Sequence, residues 1–401
     1  MAALSTLMLV WYSICGFAYA AASKSFTIVS HRETADAGLL LRKRQTGSLP
    51  SELGKSLYWF GNFSVGNAES VRLLIDTGST DLLMNKGIYK PSKHEKPYKG
   101  HKNFTITYEG VNRAGFGFET LNGTTMTDTV TAAGLTVANQ AMGNLLSYKY
   151  FDVPQLPYAM QGDGIIGFAG PGSSSFKPGA NSWFWNLCDN KAISQCKLGL
   201  LFGTSGKGLT VVGKLAKKYL KGDLITVKDP NNGYVIKGDI TVDNKIVLKN
   251  QTIIMDVGTD NIQGPLGATR KIFKLLGYEG HERSGPNLFD PSHPVKDLTA
   301  FFACDGPPTI GFSFPAEVEL KAGQKARNFN VSPKVWDVYD HGKNNCTSIL
   351  GGTNALDGEE GSGGAWLLGQ PFYAGYYIDF DLTAKTIGFG DLIDPTMASS
   401  T

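Results

Sequence analysis

The sequence predicts a mostly β protein built as two similar lobes, and three observations carry that prediction. The 401 residues are 42% hydrophobic and include 49 glycines, with Thr, Val, Tyr and Phe also abundant. That mix suits strands and turns, and it excludes global disorder. Strand-length apolar runs bounded by Gly, Asn and Pro recur along the chain. Finally, Leu74-Ile75-Asp76-Thr77-Gly78-Ser79-Thr80 has a counterpart in Ile254-Met255-Asp256-Val257-Gly258-Thr259-Asp260. Each copy is an apolar run that delivers one Asp into a Gly turn followed by a hydroxyl residue. Their separation far exceeds a solenoid period, so the duplication means paired lobes rather than an array.

Taken in order, residues 1–20 hold an apolar core, Leu4 to Phe17, followed by Ala18-Tyr19-Ala20, and read as a signal peptide. The run is shorter than the ~20 residues that a membrane span needs, so no membrane anchor is expected. Residues 21–44 are polar and end in Leu41-Arg42-Lys43-Arg44, which reads as a short propeptide with a paired basic cleavage site. A zymogen is implied, with the mature chain starting near Gln45. Residues 45–215 then form an N-terminal lobe with the first Asp, and residues 216–401 a C-terminal lobe with the second.

In the first lobe, strands are expected over 58–66 and 71–75, the latter delivering Asp76. The basic segment from Lys86 to Lys102 reads as a solvated loop, with an anion- or cell-wall-binding surface as the alternative. Phe104 to Tyr108 alternates like a strand that Glu109-Gly110 can turn, which puts Tyr108 at a strand tip. A strand pair spans Phe116 to Val137. Asp163-Gly164-Ile165-Ile166-Gly167-Phe168 is an apolar strand held between glycines, and 181–188 carries helical spacing. In the second lobe, Pro230-Asn231-Asn232-Gly233 signals a hairpin. Ile253 to Met255 delivers Asp256, and 265–276 reads as a helix with Pro at its start and Gly277 past its end. Leu367-Leu368-Gly369 echoes Ile165-Ile166-Gly167, and each such strand would buttress its own Asp loop.

Cys15 lies in the signal segment, leaving Cys188, Cys196, Cys304 and Cys346. An even number after a signal segment indicates disulfides, and the spacings match no zinc signature, so no metal is expected. Three pairings are possible, and proximity favours Cys188–Cys196 and Cys304–Cys346. Sequons at Asn62, Asn103, Asn122, Asn250, Asn330 and Asn345 agree with a secreted, extracellular glycoprotein. The net charge of +3 gives no reason to expect nucleic-acid binding. Nothing points to an oligomer, and a monomer is expected.

Two carboxyl groups at hydrogen-bond distance share one proton. The ionised partner can take a proton from a water, while the protonated one polarises a carbonyl and later helps protonate the leaving amine. Such hydrolysis needs no cofactor. Gly78 and Gly258 let the backbone approach the carboxylates. Ser79 and Thr259 can each hydrogen-bond one, and Tyr108 can close over a bound peptide.

The chain resembles the pepsin-like aspartic endopeptidases of the secreted fungal type. The resemblance rests on Ile75-Asp76-Thr77-Gly78-Ser79-Thr80-Asp81-Leu82, Ile106-Thr107-Tyr108, Asp163-Gly164-Ile165-Ile166-Gly167, Asp256-Val257-Gly258-Thr259 and Leu367-Leu368-Gly369-Gln370-Pro371-Phe372, with Tyr376 to Asp381. It covers roughly residues 56–392, nearly the whole mature chain. It implies a bilobal fold with a cleft between two β-rich lobes, binding an extended polypeptide substrate under a flap. It also implies that Asp76 and Asp256 form the catalytic pair. Thr77, Gly78, Ser79, Gly258 and Thr259 would support them, and Tyr108 would be the flap tyrosine. A Cys304–Cys346 disulfide is similar to one common in the second lobe of the family. Several positions depart from the family pattern. In the family, threonines after each Asp cross-bond beneath the pair, whereas Val257 has no hydroxyl, so Thr77 needs another partner. Asp260 adds a carboxylate, Glu109 interrupts a Gly-rich flap, and Leu83 stands where a Trp often supports the flap tyrosine. The expected function is a secreted aspartic endopeptidase. The alternative is a homologue that keeps the fold as an extracellular binding protein with weak or no catalysis.

Overall fold

The computed structural model describes residues 47–53, 58–112, 115–151, 162–176, 178–285, 294–315, 326–336, 342–358 and 364–397. The expected signal peptide and propeptide lie outside these residues. Among the described residues the strands form a 14-stranded and a 10-stranded sheet. Three short α-helices, Trp183–Asp189, Leu266–Leu276 and Gln370–Tyr373, complete the elements that matter here.

The two sheets repeat one arrangement. In the first, the strand Ala68–Asp76 runs antiparallel to Trp59–Val65 and parallel to Gly164–Gly167, pairing Leu74 with Ile165 and Asp76 with Gly167. Leu82–Met84 returns antiparallel along Gly164–Gly167. In the second, Lys245–Met255 runs parallel to Ala365–Leu368, and Ile262–Pro265 returns antiparallel to it. Both Gly164–Gly167 and Ala365–Leu368 are buried at every position. That burial is why these runs are continuously apolar rather than alternating.

Local signals set the helix ends. Ser182 caps Trp183–Asp189 by accepting a hydrogen bond from the Trp185 N–H. Leu266–Leu276 begins after Pro265 and stops at Gly277, whose φ of 72° is the left-handed cap that glycine adopts without strain.

Two expectations need correction. The ladder between Asn103–Asn112 and Gly115–Ala132 continues past Glu109-Gly110 to the Asn112–Gly115 pair. Gly110 faces Gly117 there, so no side chain opposes continued pairing. Tyr108 therefore sits along the strand opposite Glu119, not at its tip. Pro230 to Gly233 does not close a hairpin either. The strand before it, Leu220–Lys228, pairs with Thr386–Leu392, whereas the strand after it, Val235–Val242, pairs with Lys245–Met255 and Ile310–Pro315. The Asp229 carboxylate accepts the Gly233 and Tyr234 N–H groups, and positive φ at Asn232 and Tyr234 swings the chain from one sheet to the other. Hydrogen bonding also crosses the boundary drawn at 215/216. Leu220–Lys228, Tyr376–Asp381 and Thr386–Leu392 all belong to the first sheet, where Tyr376–Asp381 pairs with Lys197–Phe202. The Lys197 ammonium bridges Asp379 at 2.9 Å and Asp381 at 2.5 Å across that seam. Trp59 stacks on Phe202 with centroids 4.1 Å apart. Burying each such aromatic contributes roughly 1.5–3 kcal/mol.

The basic loop is exposed but firmly seated. Its lysines and histidines from Lys86 to Lys102 face solvent. Tyr89 and Ser92 meanwhile donate hydrogen bonds to the buried Asp128 carboxylate.

Cysteine pairs close Cys188–Cys196 and Cys304–Cys346, with separations of 8 and 42 residues. The longer loop restricts the unfolded chain more, by about 4 kcal/mol against about 2.6 in the chain-entropy picture. Replacing both Cys304 and Cys346 by Ser is therefore expected to lower the urea midpoint further than replacing Cys188 and Cys196. Equal shifts would contradict this.

Candidate active site

Each Asp sits where a buried strand breaks into a turn, and each turn is held by the glycine-ended strand beside it. Phe168 N–H donates to the Asp76 carbonyl at 2.7 Å, and Asp256 N–H donates to the Leu368 carbonyl at 3.0 Å. Ala169 N–H reaches the Ser79 carbonyl at 2.9 Å, and Gln370 N–H reaches the Thr259 carbonyl at 2.8 Å. The glycines that end these strands are steric requirements. A Cβ at Gly167 would lie 2.4 Å from the Ser79 carbonyl oxygen, and one at Gly369 would lie 2.0 Å from that of Asn261.

The two loops meet face to face. A Cβ at Gly78 would sit 2.6 Å from the Asp256 carboxyl carbon, and one at Gly258 would sit 2.2 Å from Asp76 Oδ1. Only glycine lets each loop lie against the carboxyl group of the other. Asp76 is 0% exposed and Asp256 2%. Gly78 N–H donates to Asp76 Oδ1 at 2.7 Å, and the Ser79 hydroxyl donates to Asp76 Oδ2. In the second loop, Gly258 N–H donates to Asp256 Oδ1 at 2.8 Å, and the Thr259 hydroxyl to Asp256 Oδ2 at 2.8 Å.

Burial pushes both carboxyl groups above the usual range, Asp76 well above it, where the neighbouring Asp256 charge adds to the effect. The loop donors oppose this, and a hydrogen bond joins the two carboxyl groups. The proton they share belongs to the pair rather than to either residue. One neutral and one ionised carboxyl held side by side can give and take a proton in the same step.

Comparison with known proteins agrees with this geometry. The family model for eukaryotic aspartyl proteases matches residues 58–392. The chain belongs to the eukaryotic aspartyl protease family. It is 24% identical over 342 residues to secreted aspartyl protease 1 of Malassezia globosa, covering 84% of this chain and 74% of that one. Pepsin A of Bos taurus is 26% identical over 367 residues, covering 86% and 88%. The structure of the aspartic proteinase from Irpex lacteus superposes with a TM-score of 0.65 at 19% identity, covering 89% of this chain and 100% of that one. The protein is thus an aspartic-type endopeptidase of pepsin-like, bilobal fold.

Thr77 of this aspartyl protease finds its partners across the lobes. Its hydroxyl donates to the Met255 carbonyl at 2.9 Å and accepts the Val257 N–H at 2.9 Å. One half of the cross-bond is therefore complete, and the half that position 257 would return is absent. Asp81 is buried and anchors the following loop by accepting from the Ser174 hydroxyl and the Ser175 N–H. Leu83 is fully buried in the core. Tyr108 is placed by its strand alone, since the described side chains do not include it. Two residues at the site escaped the sequence reading. Tyr234 donates its hydroxyl to the Phe168 carbonyl at 2.9 Å, tying the second lobe to the first buttress. Tyr373 is fully buried, and burial first, then the Asp256 charge, hold its phenol well above the ordinary value. A tyrosine at the end of Leu367-Leu368-Gly369-Gln370-Pro371-Phe372 was the available signal, but it reads as ordinary core.

Replacing Thr77 by Val would leave the Val257 N–H and Met255 carbonyl unpaired in the interior, at about 1–3 kcal/mol each. Thr77→Val is expected to lower the unfolding midpoint sharply and to reduce peptide hydrolysis. An unchanged midpoint would contradict the role of this tie. The raised carboxyls also carry a sign. A carboxyl whose folded pKa exceeds its unfolded value stabilises the fold fully below the unfolded value of 3.8, and that stability is lost as pH rises through the folded pKa. Burial likewise raises Asp229, Asp297 (to about 6) and Asp379, so the effect of the pair must be isolated by difference. The melting temperature is expected to fall between pH ~4 and pH ~7, and to fall less in Asp76→Asn. Equal slopes in the two proteins would contradict it.

Proposed function

We propose that Asp76 and Asp256 are the catalytic pair with which this aspartic endopeptidase cleaves an extended polypeptide. The observation that carries the assignment is the meeting of the two loops, with each glycine seated against the other loop's carboxyl group. The ionised carboxyl accepts a proton from a water as its oxygen attacks the scissile carbonyl carbon. The protonated carboxyl gives its proton to the carbonyl oxygen. As the tetrahedral intermediate collapses, the C–N bond breaks, the leaving nitrogen takes a proton from the pair, and the pair recovers its shared proton. Thr77, Gly78, Ser79, Gly258 and Thr259 hold the two carboxyls in place, and Tyr108 covers the substrate from its hairpin. The reaction uses no cofactor.

The same reading makes the protein a secreted monomer. Residues 1–20 are the signal peptide and 21–44 the propeptide. The lobes divide near 215/216, apart from the strands that the second lends to the first sheet. The secreted aspartyl protease of Malassezia globosa supports an extracellular setting. No helix among the described residues is long and apolar enough to cross a membrane. Asn103, Asn250 and Asn345 are exposed and suited to carry glycans. Asn62 and Asn122 are half-buried on strands, and the Asn330 side-chain nitrogen is engaged with Asn244 at 2.8 Å, so these three are less suited.

The test is hydrolysis of a denatured protein by purified mature enzyme across acid to neutral pH. Asp76→Asn and Asp256→Asn are each expected to lose at least about a thousandfold in rate, because the general acid–base pair is broken. Cleavage that persists in both variants would remove the assignment. No cleavage by the wild type at any pH would favour a pepsin-like binding protein instead.

A further inference from the structure

We propose that the basic segment from Lys86 to Lys102 is a binding surface for a linear acidic polysaccharide, tethering the protease to an extracellular matrix while its cleft stays free. The choice of polymer rests on the reading of the protein as secreted.

Charge is concentrated in this segment. Residues 86–102 hold six lysines, two histidines and a single acidic residue, Glu95. With histidine neutral that is +5, whereas the whole chain sums to +3, so all other residues together carry −2. Lys90, Lys93, Lys96, Lys99 and Lys102 recur at every third position. Three residues span at most about 11 Å, close to one Debye length at about 0.1 M salt, so the fields of neighbouring ammonium groups overlap. All six lysines are exposed, and none forms an ion pair among the described residues.

The backbone beneath these lysines is pinned at short intervals. The Lys90 carbonyl accepts the Asn67 N–H at 2.8 Å, and the Pro91 carbonyl accepts the Asn67 side-chain amide at 2.7 Å. Tyr89 and Ser92 are anchored on Asp128. Lys96–Pro97 is a short strand paired with Met126 and Thr127. The Tyr98 hydroxyl donates to the Pro178 carbonyl at 2.5 Å. The His101 carbonyl accepts the Thr125 hydroxyl, and the Lys102 carbonyl accepts the Thr125 N–H at 2.9 Å. These ties use the backbone and the side chains of other residues, so the ammonium groups stand unspent on a preordered rail. Such order reduces the entropy lost on binding. Lysines on an edge strand also discourage pairing with another sheet, but only Lys96 of the six lies in the strand.

The surface suits one kind of partner. Protein interfaces are depleted of lysine at their centres and anchored by aromatic side chains. Here Tyr89 and Tyr98 are half-buried, with their hydroxyls spent on Asp128 and Pro178. Nucleic-acid surfaces add arginine and exposed stacking rings, and residues 86–102 contain no arginine. A row of compact point charges matches carboxylate or sulfate groups repeated along a sugar chain. The segment leads into Asn103, at the base of the hairpin that pairs Asn103 with Thr124 and Asn112 with Gly115. Tyr108 lies about 17 Å further along that strand, towards the tip, so a polymer on the rail leaves the flap side free.

The experiment measures binding of the secreted mature protein to heparin oligosaccharides, the probe for a linear acidic polysaccharide. Saturable binding is expected, with Kd rising at least about tenfold between roughly 50 and 300 mM NaCl. The triple variant Lys93→Gln, Lys96→Gln, Lys99→Gln is expected to bind at least about tenfold more weakly, with its unfolding midpoint and its hydrolysis of a short peptide unchanged. The control triple Lys214→Gln, Lys217→Gln, Lys221→Gln removes the same charge from exposed lysines elsewhere. Its Kd should stay within about twofold of the wild type, because distant charges are screened. Saturating heparin should leave kcat/KM on the short peptide within about twofold, because the rail lies outside the cleft. Absence of heparin binding at low salt would overturn the proposal, as would equal losses in the two triple variants, which would mean diffuse net charge. Tighter binding to single-stranded DNA or to phosphatidylserine vesicles than to heparin would assign the surface to another polyanion. Heparin that blocks peptide hydrolysis would remove the tether. If the wild type proves inactive, the catalytic assignment fails, while the binding measurements still decide the role of the rail.

Discussion

The rest of the structure depends on keeping two carboxyl groups side by side out of water. Desolvation raises both, and the charge on one resists ionisation of the other. A fold tolerates this only if donors converge on the pair and nothing bulky intervenes. Here each carboxyl has a glycine N–H and a hydroxyl from its own loop, and a glycine from the opposite loop pressed against it. The approximate symmetry follows from the chemistry, since each lobe provides one half of a site that neither contains alone.

Holding the halves in register falls to contacts between distant parts of the chain. Thr77 ties the first Asp loop to the strand entering the second, and Tyr234 ties the second lobe to the carbonyl of Phe168. The first sheet extends through strands of both lobes, with Lys197 between Asp379 and Asp381 at the seam. A misplacement of about 1 Å at a reacting centre can cost about a hundredfold in rate, so such ties act on catalysis without touching substrate. The symmetry fails at Val257, which has no hydroxyl to return to the first loop.

Much of the site was legible in the sequence, for local reasons. An apolar run that ends in Asp-x-Gly states both its burial and its turn, and the glycine-ended runs at 164–167 and 365–369 state theirs. Pro265 and Gly277 mark their helix because backbone geometry at helix ends is a local matter. Other features were not legible. The pairing of Gly110 with Gly117 keeps the ladder going where Glu109-Gly110 suggested a turn. Pro230 to Gly233 has hairpin composition, yet its flanking strands find better partners elsewhere, at 386–392 and 245–255. Turn composition fixes where a chain bends but not which strand it pairs with afterwards.

By itself, the sequence determined that two buried Asp turns exist, that each has its own buttressing strand, and that Val257 breaks the match between them. Those are properties of single segments, carried by burial pattern and steric need. Only the tertiary structure decided that Thr77 would be satisfied by the backbone at Met255 and Val257. It alone placed the C-terminal strands in the first sheet. These outcomes depend on residues as much as 182 positions apart, and no local periodicity encodes which of them will meet.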